Sequence, residues 1–228
     1  MEFLREYLFK ELLIKGNLNL KELSEVLNLN EKRLRDVIRP YSNFFEVRGS
    51  EVRIKDAVNL ILALWKEGFR MDELLRYSNW RYFEELCCRL FSEASFHALR
   101  GLHFSYEGKR YEVDVVALRD PYVIVIDCKR WRRAMRSRVE VFANRHLERC
   151  KALAKELWHL KRLNALIGKW RTAKIVPILL TLLEESVKLV NGVAIVPLFK
   201  LRGFIKELPY LLEDLTVFES SRREGKLA

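Results

Sequence analysis

Residues 110–129 read RYEVDVVALRDPYVIVIDCK, a pattern of two adjacent strands around which the rest of the chain can be arranged. In its first half apolar residues alternate with Glu112 and Asp114, so a strand built from it puts the two acids on one face and Val113 and Val115 on the other. Arg119-Asp120-Pro121 supplies a turn. The second half, YVIVIDCK, is almost continuously apolar, as expected of a strand buried on both faces, and it ends with Asp127 and Lys129 pointing the same way. Carboxylates brought together in a core repel each other, and each loses its hydration. A bound cation offsets both costs. Hard oxygen donors without sulfur or imidazole partners favour Mg²⁺ or Mn²⁺ over zinc. Lys129, a compact charge beside the acids, suits orienting or deprotonating a water and stabilising charge on a phosphate. Together these parts predict phosphodiester hydrolysis. The alternative is an ordinary surface ion pair, because acid-x-lysine triplets arise by chance in a chain this charged.

Upstream, Phe83, Leu86, Cys87, Leu90, Phe91 and Ala94 recur at helical spacing and define one buried face. Glu84 lies on the shoulder of that stripe. At about 100° per residue, Glu85 points away into solvent. Turns are expected around Gly101 and at Glu107-Gly108. Downstream, residues 129–174 hold fifteen Lys or Arg against three acids, which concentrates positive charge just after the candidate site. The densest part, KRWRRAMRSR, has no clear periodicity and predicts a mobile loop that clamps DNA near the metal through Arg130, Arg132, Arg133, Arg136 and Arg138, with a merely solvated basic face as the alternative. Trp131 either stacks on a base or packs into the core. Leu147, Cys150, Leu153, Leu157, Leu160, Leu163 and Ile167 predict one long helix, AKIVPILLTL and GVAIVPL two further strands, and residues 199–215 a closing helix.

Glu84, Asp114 and Asp127-Cys128-Lys129, in the order helix, strand, turn, strand, resemble the PD-(D/E)XK nuclease superfamily, nearest to Mrr-type restriction endonucleases and archaeal Holliday junction resolvases. WRYFEELCCRLFSEASF resembles their opening helix, with Ser95-Phe96 where a glycine-aromatic pair is usual. The resemblance covers about residues 80–200. It implies a restriction endonuclease-like α/β/α core with a mixed central sheet of four or five strands. It also implies that Asp114, Asp127 and the Cys128 backbone carbonyl ligate the metal, that Glu84 acts through water, and that Lys129 is the catalytic lysine. Glu112 is left a neighbouring role. Val113 stands where proline is usual and Asp127 where glutamate is commoner, and neither change removes a ligand. The glutamine-tyrosine motif of RecB-like members is absent, which argues against an exonuclease of that branch.

Toward the N-terminus, Leu4, Tyr7, Leu8 and Leu12 mark a first helix stopped at Gly16-Asn17. Leu20 to Leu27 mark a second, and Leu34, Val37 and Ile38 a third that Pro40 limits. Two short strands, 44–47 and 51–54, flank Arg48-Gly49-Ser50. Three helices and a hairpin resemble the winged-helix family, which implies contacts to DNA by Lys32, Arg33, Arg35 and Arg48. Use of the module for dimerisation or protein contact stays open, as Glu31 and Asp36 lie in the same helix. The expected organisation is a winged-helix domain over 1–55, a helical connector over 56–79, a nuclease domain over 80–215 and a polar, frayed tail over 216–228.

A chain of 228 residues, half of them hydrophobic, can bury a substantial core without staples, and its net charge of +11 draws it to polyanions. Cys87, Cys88, Cys128 and Cys150 have no zinc spacing and suggest reduced thiols; His97, His103, His146 and His159 are scattered. No apolar run approaches the roughly 20 residues of a membrane span, and the acidic start does not resemble a secretory signal, so a cytoplasmic protein is expected. The absence of glutamine and the wealth of Lys, Arg and Glu suggest a thermophilic source, and the resemblance to archaeal resolvases implies an archaeal one. The functional expectation is a metal-dependent DNA endonuclease for restriction and defence or for repair and recombination, working on duplex or branched DNA without a small-molecule cofactor, with a homodimer as an open alternative. A non-catalytic DNA-binding regulator and an RNA-processing nuclease are the competing readings.

Overall fold

The computed structural model describes residues 2–131 and 135–222, and the chain divides into two compact units, Met1–Phe83 and Glu84–Ala228. In the first unit the helices α1 (Glu2–Lys15), α2 (Leu20–Leu27) and α3 (Glu31–Ile38) enclose a core of Leu8, Leu12, Leu20 and Leu34, each no more than 1% exposed. Asn19 caps α2 by accepting from the Lys21 and Glu22 amides, and Asn30 caps α3 by accepting from the Lys32 amide. Strands β2 (Phe45–Arg48) and β3 (Glu51–Ile54) form the expected hairpin. The stop after α1 is itself a strand, β1 (Asn17–Asn19), which pairs antiparallel with β3 to give the order β1-β3-β2. The stretch expected as a connector forms α4 (Ala57–Lys66) and α5 (Met71–Tyr77), both part of this unit. Tyr41 ties its far ends together, donating to Glu67 at 2.5 Å while Arg5 bonds both residues.

The helix α6 (Trp80–Glu93) leads into the second unit, whose seven-stranded mixed sheet runs β4-β5-β6-β7-β9-β8. Here β4 is His97–Tyr106, β5 Lys109–Arg119, β6 Tyr122–Lys129, β7 Thr172–Thr181, β8 Leu189–Val190 and β9 Val193–Pro197. The β6–β7 and β7–β9 pairs are parallel, and the rest are antiparallel. Every residue from Val123 to Cys128 is buried, as the apolar run requires of a central strand. Val123 and Val125 face a core formed with α7 (Arg136–Glu156) and α8 (Lys161–Ile167), while the Cys128 thiol meets Cys87 of α6 on the opposite face. Helices therefore cover both sides, in the α/β/α manner of a restriction endonuclease-like core.

Three expectations change. The sheet has seven strands where four or five are expected: the bend at Gly101 hides β4 from a period-two pattern, and β8 and β10 (Phe218–Ser221) are too short to show one. β10 lies in the stretch expected as a frayed tail; it pairs with the N-terminal half of β7 and leaves the other half to β9. The single long helix is two, broken over residues 157–160. There Ser220 donates to the Ala154 carbonyl at 2.7 Å and accepts from the Trp158 indole at 2.9 Å, so a distant strand satisfies groups that the helix ladder would otherwise use. A final helix, α9 (Leu201–Leu211), closes the unit. None of the helices among the described residues is long and apolar enough to cross a membrane.

Candidate active site

Asp127 and Lys129 are two residues apart on β6 and share a face, with Lys129 Nζ 2.7 Å from Asp127 Oδ2. The β5–β6 ladder stops one step short of them. Its last pair is Val115–Ile126, so Asp114 would come next, directly opposite Asp127. Two acids facing each other across a ladder destabilise it. The strands part here, and Asp114 Oδ2 accepts the Cys128 amide at 2.7 Å in place of a backbone bond. On its other side Asp114 stands opposite Gly101, as the flanking pairs Arg100–Val115 and Leu102–Val113 require. Gly101 has φ +57°, and around it alternation breaks: Leu99 and Leu102, three residues apart, and likewise Val113 and Val116, line the same core. A residue with a Cβ resists that conformation, so glycine makes this bend at little cost.

The charges are not symmetric. Burial pushes the Asp114 carboxyl up to about 6, assisted by the charges of Asp127 and Glu84 and opposed by the Cys128 amide and Lys129. Glu84 is thus near enough to act on Asp114, from a half-buried place on α6, while Glu85 is exposed and pairs with Arg100 at 3.4 Å. Burial would raise Asp127 as well, but His146, Lys129 and Arg149 outweigh it and hold Asp127 below the ordinary carboxylate value. Because burial drives His146 itself down to about 4, the cations Lys129 and Arg149 do this near neutrality. Arg149 Nη1 lies 3.0 Å from Asp127 Oδ1, so both carboxylate oxygens have a cation beside them.

Among the described residues no three His, Cys, Asp or Glu side chains converge as a ready metal cage. The two aspartates are a donor set of the kind that holds a hard divalent ion through one or two carboxylates and leaves the remaining positions to water and phosphate. Burial, and after it the charge of Asp127, raises Asp114, and such an ion would offset both. Glu112 is exposed on β5, beside His103 in the register.

The basic stretch departs from expectation. Arg136 and Arg138 belong to the first turn of α7 instead of a loop, with Arg136 paired to Glu140 at 3.1 Å. Trp131 packs against Phe142 with ring centroids 5.3 Å apart and joins an apolar cluster, which decides between its two readings in favour of packing. Arg130 is half-buried; Arg132 and Arg133 lie outside the described residues. In the first unit Lys32 and Arg33 are exposed on α3, and Arg48 is exposed beside Glu46. Arg35 is engaged internally, bonded to Glu31 and, at 2.7 Å, to the Gly49 carbonyl of the hairpin turn.

His146 and Arg149 join the site without having been expected there from their spacing. A signal was present, since His146 falls in the buried stripe Val139, Ala143, His146, Cys150, Leu153 of α7, where a polar residue calls for a partner.

Several known proteins are similar to this chain. An uncharacterised protein of Archaeoglobus fulgidus is 28% identical over 137 residues, which are 59% of this chain and 95% of that protein. Among solved structures, a protein of unknown function, AF1548, gives a TM-score of 0.34 at 17% identity, over 56% of this chain and 55% of its own. The protein VC1899 from Vibrio cholerae gives 0.39 at 12% identity, over 92% and 50%. The restriction endonuclease FokI gives 0.33 at 13% identity, over 91% and 45%. The chain spans about half the length of each of these structures. The family model described as restriction endonuclease, Mrr_cat, matches residues 75–152, so Glu84, Asp114, Asp127, Lys129, His146 and Arg149 all lie in a restriction endonuclease-like segment.

Proposed function

We propose that this chain is a divalent-metal-dependent endonuclease that hydrolyses phosphodiester bonds in DNA, in restriction and defence or in repair and recombination. The observation that carries the reading is the gathering of Asp114, Asp127 and Lys129 at the adjoining ends of β5 and β6, inside the segment similar to restriction endonucleases. Asp114, Asp127 and the Cys128 carbonyl would hold Mg²⁺ or Mn²⁺, with Glu84 acting through water. When bound, the ion supplies Lewis-acid stabilisation and lowers the pKa of its water. Lys129 holds the attacking water in line and neutralises charge that grows on the phosphate. Arg138 at the start of α7, and Lys32, Arg33 and Arg48 in a winged-helix first unit, would bind phosphates along the duplex. With Arg35 engaged by the hairpin, its role is to fix α3 against the wing.

A non-catalytic DNA-binding regulator is the second reading, and the two cations already on Asp127 favour it. The readings part when plasmid, branched DNA and RNA are incubated with Mg²⁺ or Mn²⁺ and with wild type, Asp114→Ala or Lys129→Ala protein, folding being checked by circular dichroism. The nuclease reading expects DNA cleavage that falls by about 100-fold or more in Lys129→Ala. Equal cleavage by all three proteins removes these residues from the chemistry; DNA binding with no cleavage of any substrate selects the regulator.

A further inference from the structure

Asp127 carries ion pairs from two different elements. Lys129 reaches Oδ2 from the same strand, and Arg149 reaches Oδ1 from the middle of α7. The Arg149 nitrogen that does so also lies 3.3 Å from His146 Nδ1, and His146 Nε2 lies 3.0 Å from the Val125 carbonyl oxygen. A carbonyl can only accept, so His146 donates from Nε2 and keeps Nδ1 as an acceptor for the guanidinium. Arg149 is thus aimed at Asp127 by a fully buried imidazole whose tautomer is set by β6 itself.

An arginine held in this way is a monovalent occupant of a carboxylate that a divalent ion needs. Near neutrality Lys129 and Arg149 already balance Asp127 and Asp114, and they take both oxygens of Asp127, so a divalent ion can bind that carboxylate closely only by displacing one of them. One cation must leave. Lys129 is tied to the same strand and is needed at the reacting phosphate. Arg149 is on a helix, at the end of a long side chain that is 23% exposed, and a planar guanidinium suits a phosphate as well as a carboxylate.

We propose that Arg149 is a positioning residue that guards Asp127 in the metal-free protein and exchanges it for a DNA phosphate, so that divalent-ion binding is weak without DNA and strengthened by it. The proposal rests on the metal-dependent reading above. Its signature is a coupling carried by Arg149: removing the side chain strengthens ion binding in the absence of DNA and uncouples it from DNA.

The test is Mn²⁺ binding by the full chain, followed by electron paramagnetic resonance, with Mn²⁺ alone and then with a cleavage-resistant phosphorothioate duplex. Wild type is expected to bind Mn²⁺ about tenfold tighter with the duplex, and Arg149→Gln to bind Mn²⁺ alone about tenfold tighter than wild type, with no further gain from the duplex. Damage to the fold would weaken binding, so tightening is not a structural side effect. Arg149→Lys, which keeps the charge on a shorter arm, is expected to fall between the two. If folded Arg149→Gln binds Mn²⁺ no more tightly than wild type, the guard role is wrong. If that variant does not fold, equal Mn²⁺ affinity of wild type with and without duplex overturns the exchange. Asp114→Ala separates the failures. Binding that depends on Asp114 but ignores Arg149 defeats this inference alone, whereas binding that ignores Asp114 defeats the metal site as well.

Discussion

Replacing Asp114 by asparagine keeps an acceptor for the Cys128 amide and removes a carboxyl that burial and like charges hold near 6, against its ordinary 3.8. Between those two pH values the unfolded chain has released the proton and the folded protein still binds it, so this group costs stability as the pH rises from about 4 to 6. Metal-free Asp114→Asn is therefore expected to be more stable than wild type at pH 7 by up to about 3 kcal/mol, and indistinguishable from it near pH 3.5. Urea unfolding in EDTA at the two pH values checks this. Asp127→Asn behaves oppositely. Asp127 is held low by its two cations, so its contribution is present above its ordinary value and lost as the pH falls. Its removal at pH 7 is expected to cost about 3 kcal/mol, the low end for a broken buried pair because Lys129 and Arg149 keep some contact with water. Two aspartates in one site thus carry opposite stability signatures, and finding the same sign for both would refute the environment derived for them.

Gly101 bends the whole of β4. An alanine there has space, since a Cβ would meet no atom closer than 4.0 Å, but the left-handed φ of +57° strains it. Gly101→Ala is expected to lose about 1–2 kcal/mol in denaturant unfolding. If β4 relieves the strain by straightening, the break in alternation beside Asp114 closes, and cleavage falls with stability. A fully stable, fully active Gly101→Ala would detach the bend from the site. HALRGLHFSY switches faces halfway, so no single period of two runs through it, and the glycine that causes the switch reads as a turn. In the same way, residues 147–167 carry an unbroken apolar stripe across a real helix end, because Trp158 and Ser220 terminate α7 and are 62 residues apart.

For the molecule as a whole the excess of positive charge makes a prediction independent of the active site. A protein that neutralises about four or more phosphates loses affinity steeply as counterion release becomes less favourable, so raising NaCl from about 50 to 200 mM is expected to weaken duplex binding at least about 100-fold. Fluorescence anisotropy of a labelled duplex measures it. A flat salt dependence would mean that the net charge of +11 serves some purpose other than contact with a nucleic-acid backbone.

The order of residues alone shows which strands are central, because continuous burial leaves a continuous apolar run, and it marks Asp114, Asp127 and Lys129, because charge within such a run is costly enough to need a reason. It also determined the three helices and hairpin of the first unit, where capping asparagines and a turn glycine act locally. Packing in three dimensions is what parts β5 and β6 where the two aspartates would face each other, turns Trp131 inward, and brings His146 and Arg149 around Asp127. Periodicity reports which face of an element is buried. It does not report which element lies across from it, and the balance of charge on a buried carboxylate depends on that neighbour.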